Sequence, residues 1–271
     1  MSPSRLRLLL LAVLACPAGA QVLITQGKLR LNYSEIEVRG DTVIQKKKLP
    51  EGGFAEVGIP VATIVAVEWP LPPELAAAET EIEQGSPLAT IPVLRKQAAL
   101  HAPFRKAEGS QWPRVQAALV RALAGSGLPD EAEREFAPLK TTRTSPETLA
   151  GLELDILLAR AGSGDWNAFA PKLAELRAAG LSERDSARLW LAQGEHDRRR
   201  GQPEKALWSF LQVTVFHPRT DAEQPAALLG AIRCYRALGE AEQARLATEE
   251  LTRRFAEAPE AATAAKEVPS A

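Results

Sequence analysis

The chain has 271 residues, of which 45% are hydrophobic and 25% are charged, so it is long enough to bury the core of one or two domains. Its formal net charge of −1 argues against a nucleic-acid-binding protein, because such proteins attract phosphates with an excess of basic side chains. Beyond the first twenty residues, no stretch approaches the 18 apolar residues of a membrane-spanning helix.

Residues 1–20 have the layout of a secretory signal peptide. Arg5 and Arg7 precede an apolar run at 8–15, and Ala18 and Ala20 form an A-x-A cleavage site. The pattern predicts an exported, periplasmic bacterial protein whose mature chain begins at residue 21.

A second pattern at the N-terminus leaves open the alternative that the protein is a lipoprotein. Val13-Leu14-Ala15-Cys16 loosely matches a lipoprotein box, although the usual leucine three residues before the cysteine is absent. Lipidation of Cys16 would anchor the protein to a membrane. In either case Cys234 is the only thiol left in the chain outside residues 1–20, so no internal disulfide is expected there.

Residues 21–70 are predicted to form a small β module. Apolar alternation marks short strands at 22–25, 42–45, 55–59 and 62–69. It also marks a strand over 28–38, with a turn or bulge near residues 32–34. Turns are expected at 40–41 and at 50–53. Five short strands favour a curled SH3-like or Sm-like barrel. We expect the lysines at 46–48 to be a solvated loop, and an anionic contact is the alternative.

Prolines at 70, 72 and 73 end the β pattern, and helical patterns follow from residue 74. Turn glycines recur at 85, 127, 164, 201 and 239, separated by 37 to 42 residues. This period predicts a helical solenoid of about five helix pairs over 74–258, with a flexible tail at 259–271.

The stretch 187–218 resembles a tetratricopeptide repeat (TPR) at several positions. Trp190, Gly194, Gly201, Ala206, Phe210 and Pro218 stand at the offsets of that family's pattern. Two positions depart from it, since Gln193 replaces a leucine and Asp197 a tyrosine, which puts the packing near the end of the first helix in question.

Other units match the family pattern in part, at Ala132 and Phe136 and at Tyr235, Gly239 and Ala244. The resemblance implies an exported, TPR-like protein with a small N-terminal β module, and thus a mainly α fold that serves as a scaffold. We expect the alanines to lie where helices cross closely, and Trp190, Trp208 and Phe210 to fill the space between helices.

The sequence shows no catalytic or metal-binding constellation, so we expect no enzyme, no metal and no cofactor. His101, His196 and His217 are far apart along the repeats, and Cys234 lies in an apolar helix, typical of an inert thiol. His196 is expected to be exposed. An alternative is an enzyme or accessory subunit acting on cell-wall polymer at the junction after the β module, lined by Trp69, His101, Arg105 and Trp112, although packing is the simpler role for these residues.

The best candidate site is the groove that the first helix of each pair would line. By the family offsets, this face includes Arg188, Leu191, Glu195, Arg198 and Arg199. Such a groove could bind an acidic peptide or a chain terminus. The simpler interpretation of 198–200 is a basic last turn that suits the helix dipole. We therefore expect a protein or peptide partner in the cell envelope and no nucleic acid.

Overall fold

The computed structural model describes residues 21–267. The predicted signal peptide and Cys16 lie outside these residues. The chain divides into two compact units. The first contains the described residues up to Ala76 together with Lys96–Trp112, and the second contains Ala77–Arg95 and the described residues from Pro113 onward.

Six short strands form the β structure of the first unit. Their bounds are β1 Val22–Thr25, β2 Arg30–Asn32, β3 Ile36–Arg39, β4 Thr42–Lys48, β5 Phe54–Pro60 and β6 Ile64–Glu68. All pairings are antiparallel, in two three-stranded sheets with the orders β2-β1-β6 and β3-β4-β5. The predicted small β module before the helices is confirmed, but its strands do not close into a barrel, because no pairing among the described strands joins the two sheets.

The core of the first unit is an aromatic and aliphatic cluster around Trp69. Leu23, Leu31 and Val43 from the strands are fully buried in it. Phe104 joins them from a short segment at residues 102–104, with its ring edge-on to Trp69 at 5.7 Å between centroids. The first unit is therefore larger than the predicted 21–70 module.

The segment 105–110 also adds to the first sheet. The backbone N–H of Val67 donates to the carbonyl of Glu108, and the N–H of Glu108 donates to the carbonyl of Val65. At Gly109 (φ 73°), a β-carbon would lie 2.4 Å from the carbonyl oxygen of Val67, so only glycine fits this close approach.

Eleven helices cover the rest of the described chain. Their bounds are α1 Pro73–Glu83, α2 Ile91–His101, α3 Trp112–Gly125, α4 Pro129–Phe136, α5 Pro146–Gly162, α6 Phe169–Ala178, α7 Glu183–Arg199, α8 Pro203–Phe216, α9 Gln224–Ala237, α10 Ala241–Arg254 and α11 Pro259–Lys266. None of these helices is long and apolar enough to cross a membrane.

The helices from α5 onward pack as successive antiparallel pairs. Each first helix contacts its own partner, as α7 does α8, and the next first helix, as α5 does α7 and α7 does α9. The partner helix also packs on the following first helix, as α8 does on α9. This nearest-neighbour pattern is that of a helical solenoid. The predicted turn glycines, including Gly201 and Gly239, end the helices at positive φ.

The end of the described chain differs from the predicted flexible tail. Residues 259–266 form helix α11, and Ala261 and Ala264 on it are buried against the core of α9 and α10. The sequence pattern hid this helix because its buried residues are small and have no strong apolar period.

Candidate binding groove

The first helices of the second unit line a continuous groove. Side chains from α1, α3, α5 and α7 surround a cavity of about 940 Å³. Toward α9 the groove continues into an apolar pocket of about 530 Å³, and Leu158, Gly162 and Arg188 line both parts.

Arginine–carboxylate pairs connect neighbouring first helices across the first part of the groove. Arg114 on α3 donates two hydrogen bonds to Glu79 on α1, at 2.8 and 2.6 Å. Arg188 on α7 lies 2.7 Å from Asp155 on α5, and Arg121 on α3 lies 3.8 Å from the same carboxylate. Each connection joins residues about 35 positions apart, so these pairs fix the stacking of repeats.

Asp155 is the most buried charge of the groove, with 12% of its side chain exposed. Burial raises the pKa of its carboxyl above the usual range, and the Arg188 guanidinium opposes that shift. Arg188 also donates to Asp185 at 2.9 Å, so two carboxylates, Asp155 and Asp185, contact its guanidinium. Although burial opposes it, these two carboxylates raise the pKa of Arg188 and keep it cationic.

Two arginines of the groove have hydrogen-bond donors to spare. Arg121 is 45% exposed and makes no hydrogen bond to any described residue, since its distance to Asp155 is 3.8 Å. Arg184 is 59% exposed, and its single hydrogen bond among described residues runs from Nε to Glu223, at 3.2 Å. Both guanidiniums line the cavity, so they can bind a carboxylate that enters it.

The apolar pocket is lined by Leu191, Leu229, Ala192 and the ring of Phe210, with Trp166 at one side. Arg188, Arg199 and Arg233 lie around it, together with the carboxylates of Glu195 and Glu260. Of the five groove residues predicted from the sequence, Arg188, Leu191, Glu195 and Arg199 line this pocket. Whether they bind a ligand stays a prediction.

Arg198, the fifth of them, is not among the residues that line either part of the groove. Both Arg198 and Arg199 donate to Glu195 one turn earlier on α7, at 2.8 to 2.9 Å. Burial acts to raise the pKa of Glu195, but these hydrogen bonds outweigh it and lower the pKa. The basic run therefore closes the last turn of α7, as the simpler interpretation has it.

The floor of the pocket depends on Phe210 lying between two glycines. A β-carbon at Gly194 on α7 would lie 2.6 Å from the Phe210 ring, and one at Gly230 on α9 would lie equally close. The sequence pointed to Gly194 and Phe210 but not to Gly230, which occupies the same place on the next first helix.

The two departures from the repeat pattern compensate each other. Gln193 donates to the Asp197 carboxylate at 2.6 Å, one turn apart on α7. Asp197 is buried and also lies 3.2 Å from the ring of His196. A polar pair thus takes the place of the leucine and tyrosine that the family pattern has there.

The other predicted packing residues mostly lie where helices meet. Ala206, Ala132, Ala244, Phe210 and Phe136 are buried, and Tyr235 is half-buried. Trp190 is half-buried, with the guanidinium of Arg177 3.9 Å from its ring centroid, and Pro218 is exposed. The expected packing role of Trp208 is wrong, because this side chain is 69% exposed, on the side of α8 away from Phe210.

The structure contradicts the predicted exposure of His196 and agrees with the predicted burial of Cys234. His196 is buried beside the rings of Trp166 and Phe169, not exposed. Cys234 is buried, and burial raises its pKa to about 11, which leaves the thiol protonated. Among residues 21–267, no group of three histidines, cysteines or carboxylates is placed to hold a metal ion.

The residues proposed for a cell-wall enzyme do not form a polar cleft. His101 is buried with its ring 4.4 Å from that of Trp69, and Trp112 is buried as well. Arg105 is exposed. Burial lowers the pKa of His101 to about 4, so its ring is neutral at physiological pH. Three of the four residues thus have a packing role.

Sequence reasoning missed the charged residues of the first part of the groove, among them Glu79, Arg121, Asp155 and Arg184. The spacing of the charged residues could have indicated this face of the helices. Arg114 and Arg121 are seven residues apart, as are Arg188 and Glu195, and this spacing places each pair on one face of its helix. The pairing across helices could not be predicted, because it joins residues of different repeats.

No protein-family model matches the chain, and no curated protein matches it. Two solved structures are similar to part of it, both of the nearly identical TPR-like repeats attributed to a kinesin light chain of Podosopora anserina. One, a single-site variant, has 17% identity and a TM-score of 0.48, and the other has 18% identity and a TM-score of 0.47. Each comparison covers 66% of this chain and 92% of that chain.

Since both TM-scores are below 0.5, the repeat assignment depends on the helix packing itself. The order of contacts between first and second helices, the alanines at the crossings and the glycine-flanked Phe210 are all those of stacked repeats. In fold, the helical unit of this chain is a TPR-like solenoid.

Proposed function

We propose that this chain is a non-enzymatic, exported scaffold that holds an acidic segment or chain terminus of another cell-envelope protein in its groove. A TPR-like fold suggests a protein–protein interaction scaffold. The signal-peptide pattern at residues 1–20 supports export, and the groove supports a peptide ligand.

The observation that carries the proposal is the pair of arginines with unused donors. Arg121 on α3 and Arg184 in the first turn of α7 both line the cavity. The other two arginines there, Arg114 and Arg188, are already bonded to carboxylates of the chain. An incoming carboxylate could therefore bind donors of Arg121 and Arg184 that no carboxylate of the described chain uses.

The apolar pocket gives the same segment a second point of contact. Leu191, Leu229 and the ring of Phe210 can bury one large apolar side chain there. We propose a ligand with an acidic group and an apolar side chain several residues apart, held by the arginines and by the pocket respectively.

A charge-reversal pull-down from envelope extract tests the proposal. Changing Arg121 and Arg184 to glutamate should remove a set of co-purifying proteins, because the groove then repels their carboxylates. The matched control changes Arg134 and Arg245 to glutamate, two exposed arginines on the second helices α4 and α10. If both variants retrieve the same proteins as the unchanged chain, the groove is not the binding site.

Mass spectrometry of the protein purified from the native host tests export separately. A free residue 21 at the N-terminus supports cleavage after Ala20, and an acylated Cys16 supports a membrane-anchored form. An N-terminus that retains residues 1–20 would contradict export.

A further inference from the structure

The hairpin of β4 and β5 carries a cationic and apolar tip. β4 and β5 pair from Thr42 with Pro60 to Lys48 with Phe54, and the turn at 49–53 joins them. β3 pairs with β4 only as far as Gln45. Beyond that residue the hairpin is a two-stranded ribbon, and residues 46–54 are all exposed.

The positive charges of this tip are not neutralised within the described chain. Lys46, Lys47 and Lys48 form no ion pair with residues in the range 21–267. The carboxylates nearby are Glu51 in the turn, Glu56 opposite Lys46 on β5, and Glu37 on β3, whose pKa Lys46 helps to lower. Glu37 and Glu56 already pair with Arg39, at 2.7 and 3.1 Å, and residues 46–54 themselves contain three lysines and one glutamate. The tip is therefore locally cationic in a chain whose net charge is −1.

Large apolar side chains stand beside these lysines. Phe54 is 70% exposed, the highest value among the large apolar residues described, and Leu49 is 45% exposed. The pairing register puts Phe54 directly opposite Lys48, so the ring and the ammonium group share one face of the ribbon. Nothing in the packing of the first unit requires an exposed phenylalanine at this position.

We propose that this tip binds the surface of an anionic lipid bilayer. The lysines meet the negative headgroups, and Phe54 and Leu49 enter the boundary between headgroups and acyl chains. A lipid surface is favoured over a soluble anionic polymer. A polymer would pair with the lysines but would leave the side chains of Leu49 and Phe54 in water. This inference is independent of the groove and of its proposed ligand.

Vesicle co-sedimentation of the purified full chain tests the proposal. All proteins carry Cys16→Ala, so that no lipid anchor contributes. The chain should bind phosphatidylcholine vesicles that contain phosphatidylglycerol, and not vesicles of phosphatidylcholine alone. Changing the three lysines at 46–48 to glutamine should weaken binding on the order of a hundredfold, since each lysine near such a surface contributes about fivefold. Changing Phe54 and Leu49 to serine should weaken it about tenfold or more.

Matched controls keep the test specific. The same number of positive charges is removed from the first unit by Lys28→Asn, Arg105→Gln and Lys106→Gln, and an equally exposed aromatic is removed by Trp208→Ser. Both controls should bind as the parent chain does, and unchanged circular dichroism should show that every variant is folded.

Three results would overturn the proposal. They are no binding to anionic vesicles, equal losses in the lysine variant and its charge control, and competition by dextran sulfate with no effect of the Phe54 and Leu49 changes. The last result would assign the tip to an anionic polymer.

Discussion

The ring of Phe210 lies against the backbone of Gly194 so closely that any side chain at position 194 would overlap it. A β-carbon there would be 2.6 Å from the ring, well inside van der Waals contact, and Gly230 presses on the ring in the same way from α9. Three consecutive helices, α7, α8 and α9, therefore meet at one aromatic side chain. This contact sets how closely α7 and α9 approach the Phe210 ring on α8.

Alanine at Gly194 or Gly230 should destabilise the protein by about 1–3 kcal/mol, because the ring of Phe210 must leave its position between the helices. Chemical denaturation measures this loss. The matched control is Gly162→Ala on α5, where a β-carbon meets nothing within 4 Å and φ is not positive. The control should be neutral or stabilising by up to about 1 kcal/mol. Equal effects at Gly162 and Gly194 would contradict the packing described.

The pair of Gln193 and Asp197 should show a measurable coupling. In a double-mutant cycle with leucine at each position, we expect an interaction energy of about 1–2 kcal/mol, because a single change leaves a buried polar group without its partner. The exposed pair Glu250 and Arg254 on α10 is the control, with about 0.5 kcal/mol or less expected from alanine changes. A coupling at Gln193 and Asp197 no larger than the control would mean that the polar pair does not replace the family's apolar one.

His101 should make the first unit sensitive to acid. The folded pKa of about 4 lies below the ordinary value of 6.5, so the unfolded chain binds more protons between these two values. Above pH 6.5 the ring is neutral in both states and the free energy of unfolding is at its full value. That free energy falls as the pH drops from 6.5 toward 4. The shift corresponds to a loss of about 3 kcal/mol.

Hydrogen exchange at the amides of β1 and β6 measures this loss, since both strands surround the core that contains Trp69. A His101→Leu variant should lose less protection than the parent chain between pH 7 and pH 4. The prediction is wrong if both proteins lose protection to the same extent.

Arg188→Leu should cost about 3 kcal/mol at neutral pH, because it leaves the buried Asp155 without its strongest partner. Burial already raises the pKa of Asp155, and removal of the guanidinium raises it further. A raised carboxyl pKa penalises the folded state progressively as the pH rises above the ordinary value, and in full above the raised pKa. The cost should therefore shrink as the pH falls toward the ordinary value of 3.8.

Thermal or urea denaturation across that range tests the prediction for Arg188. The control, Arg199→Leu, removes a more exposed arginine of the same helix and should cost less than about 1 kcal/mol at every pH. A penalty in Arg188→Leu that does not diminish in acid would place the deficit in packing, not in the charge of Asp155.

The sequence predicted the repeats well where local rules apply. Turn glycines, helix-crossing alanines and the burial of Phe210 between helices follow from spacing, and the structure places them accordingly. Contacts between repeats could not be predicted in this way. Arg188 and Asp155 are 33 positions apart, and nothing in either helix alone indicates that they meet. Residue type alone did not predict the exposure of Trp208. Tryptophan is usually buried, but the position of Trp208 on α8 exposes it.

The β unit shows a second limit. The strands themselves and the turn at 50–53 were predictable, but closure was not, because it depends on which edges pair. The segment after α2 completes this unit with Phe104 and Glu108, and such long-range additions leave no periodic signal.

Site-specific photo-crosslinking in living cells tests whether the groove holds envelope proteins. A benzophenone amino acid at Leu158 or Leu229 in the groove should crosslink to defined envelope proteins, and charge reversal at Arg121 and Arg184 should abolish those products. The same amino acid at the exposed Leu246 on α10 should give none of them. Crosslinks at Leu246 equal to those in the groove, or groove crosslinks that survive the charge reversal, would contradict binding of a partner in the groove.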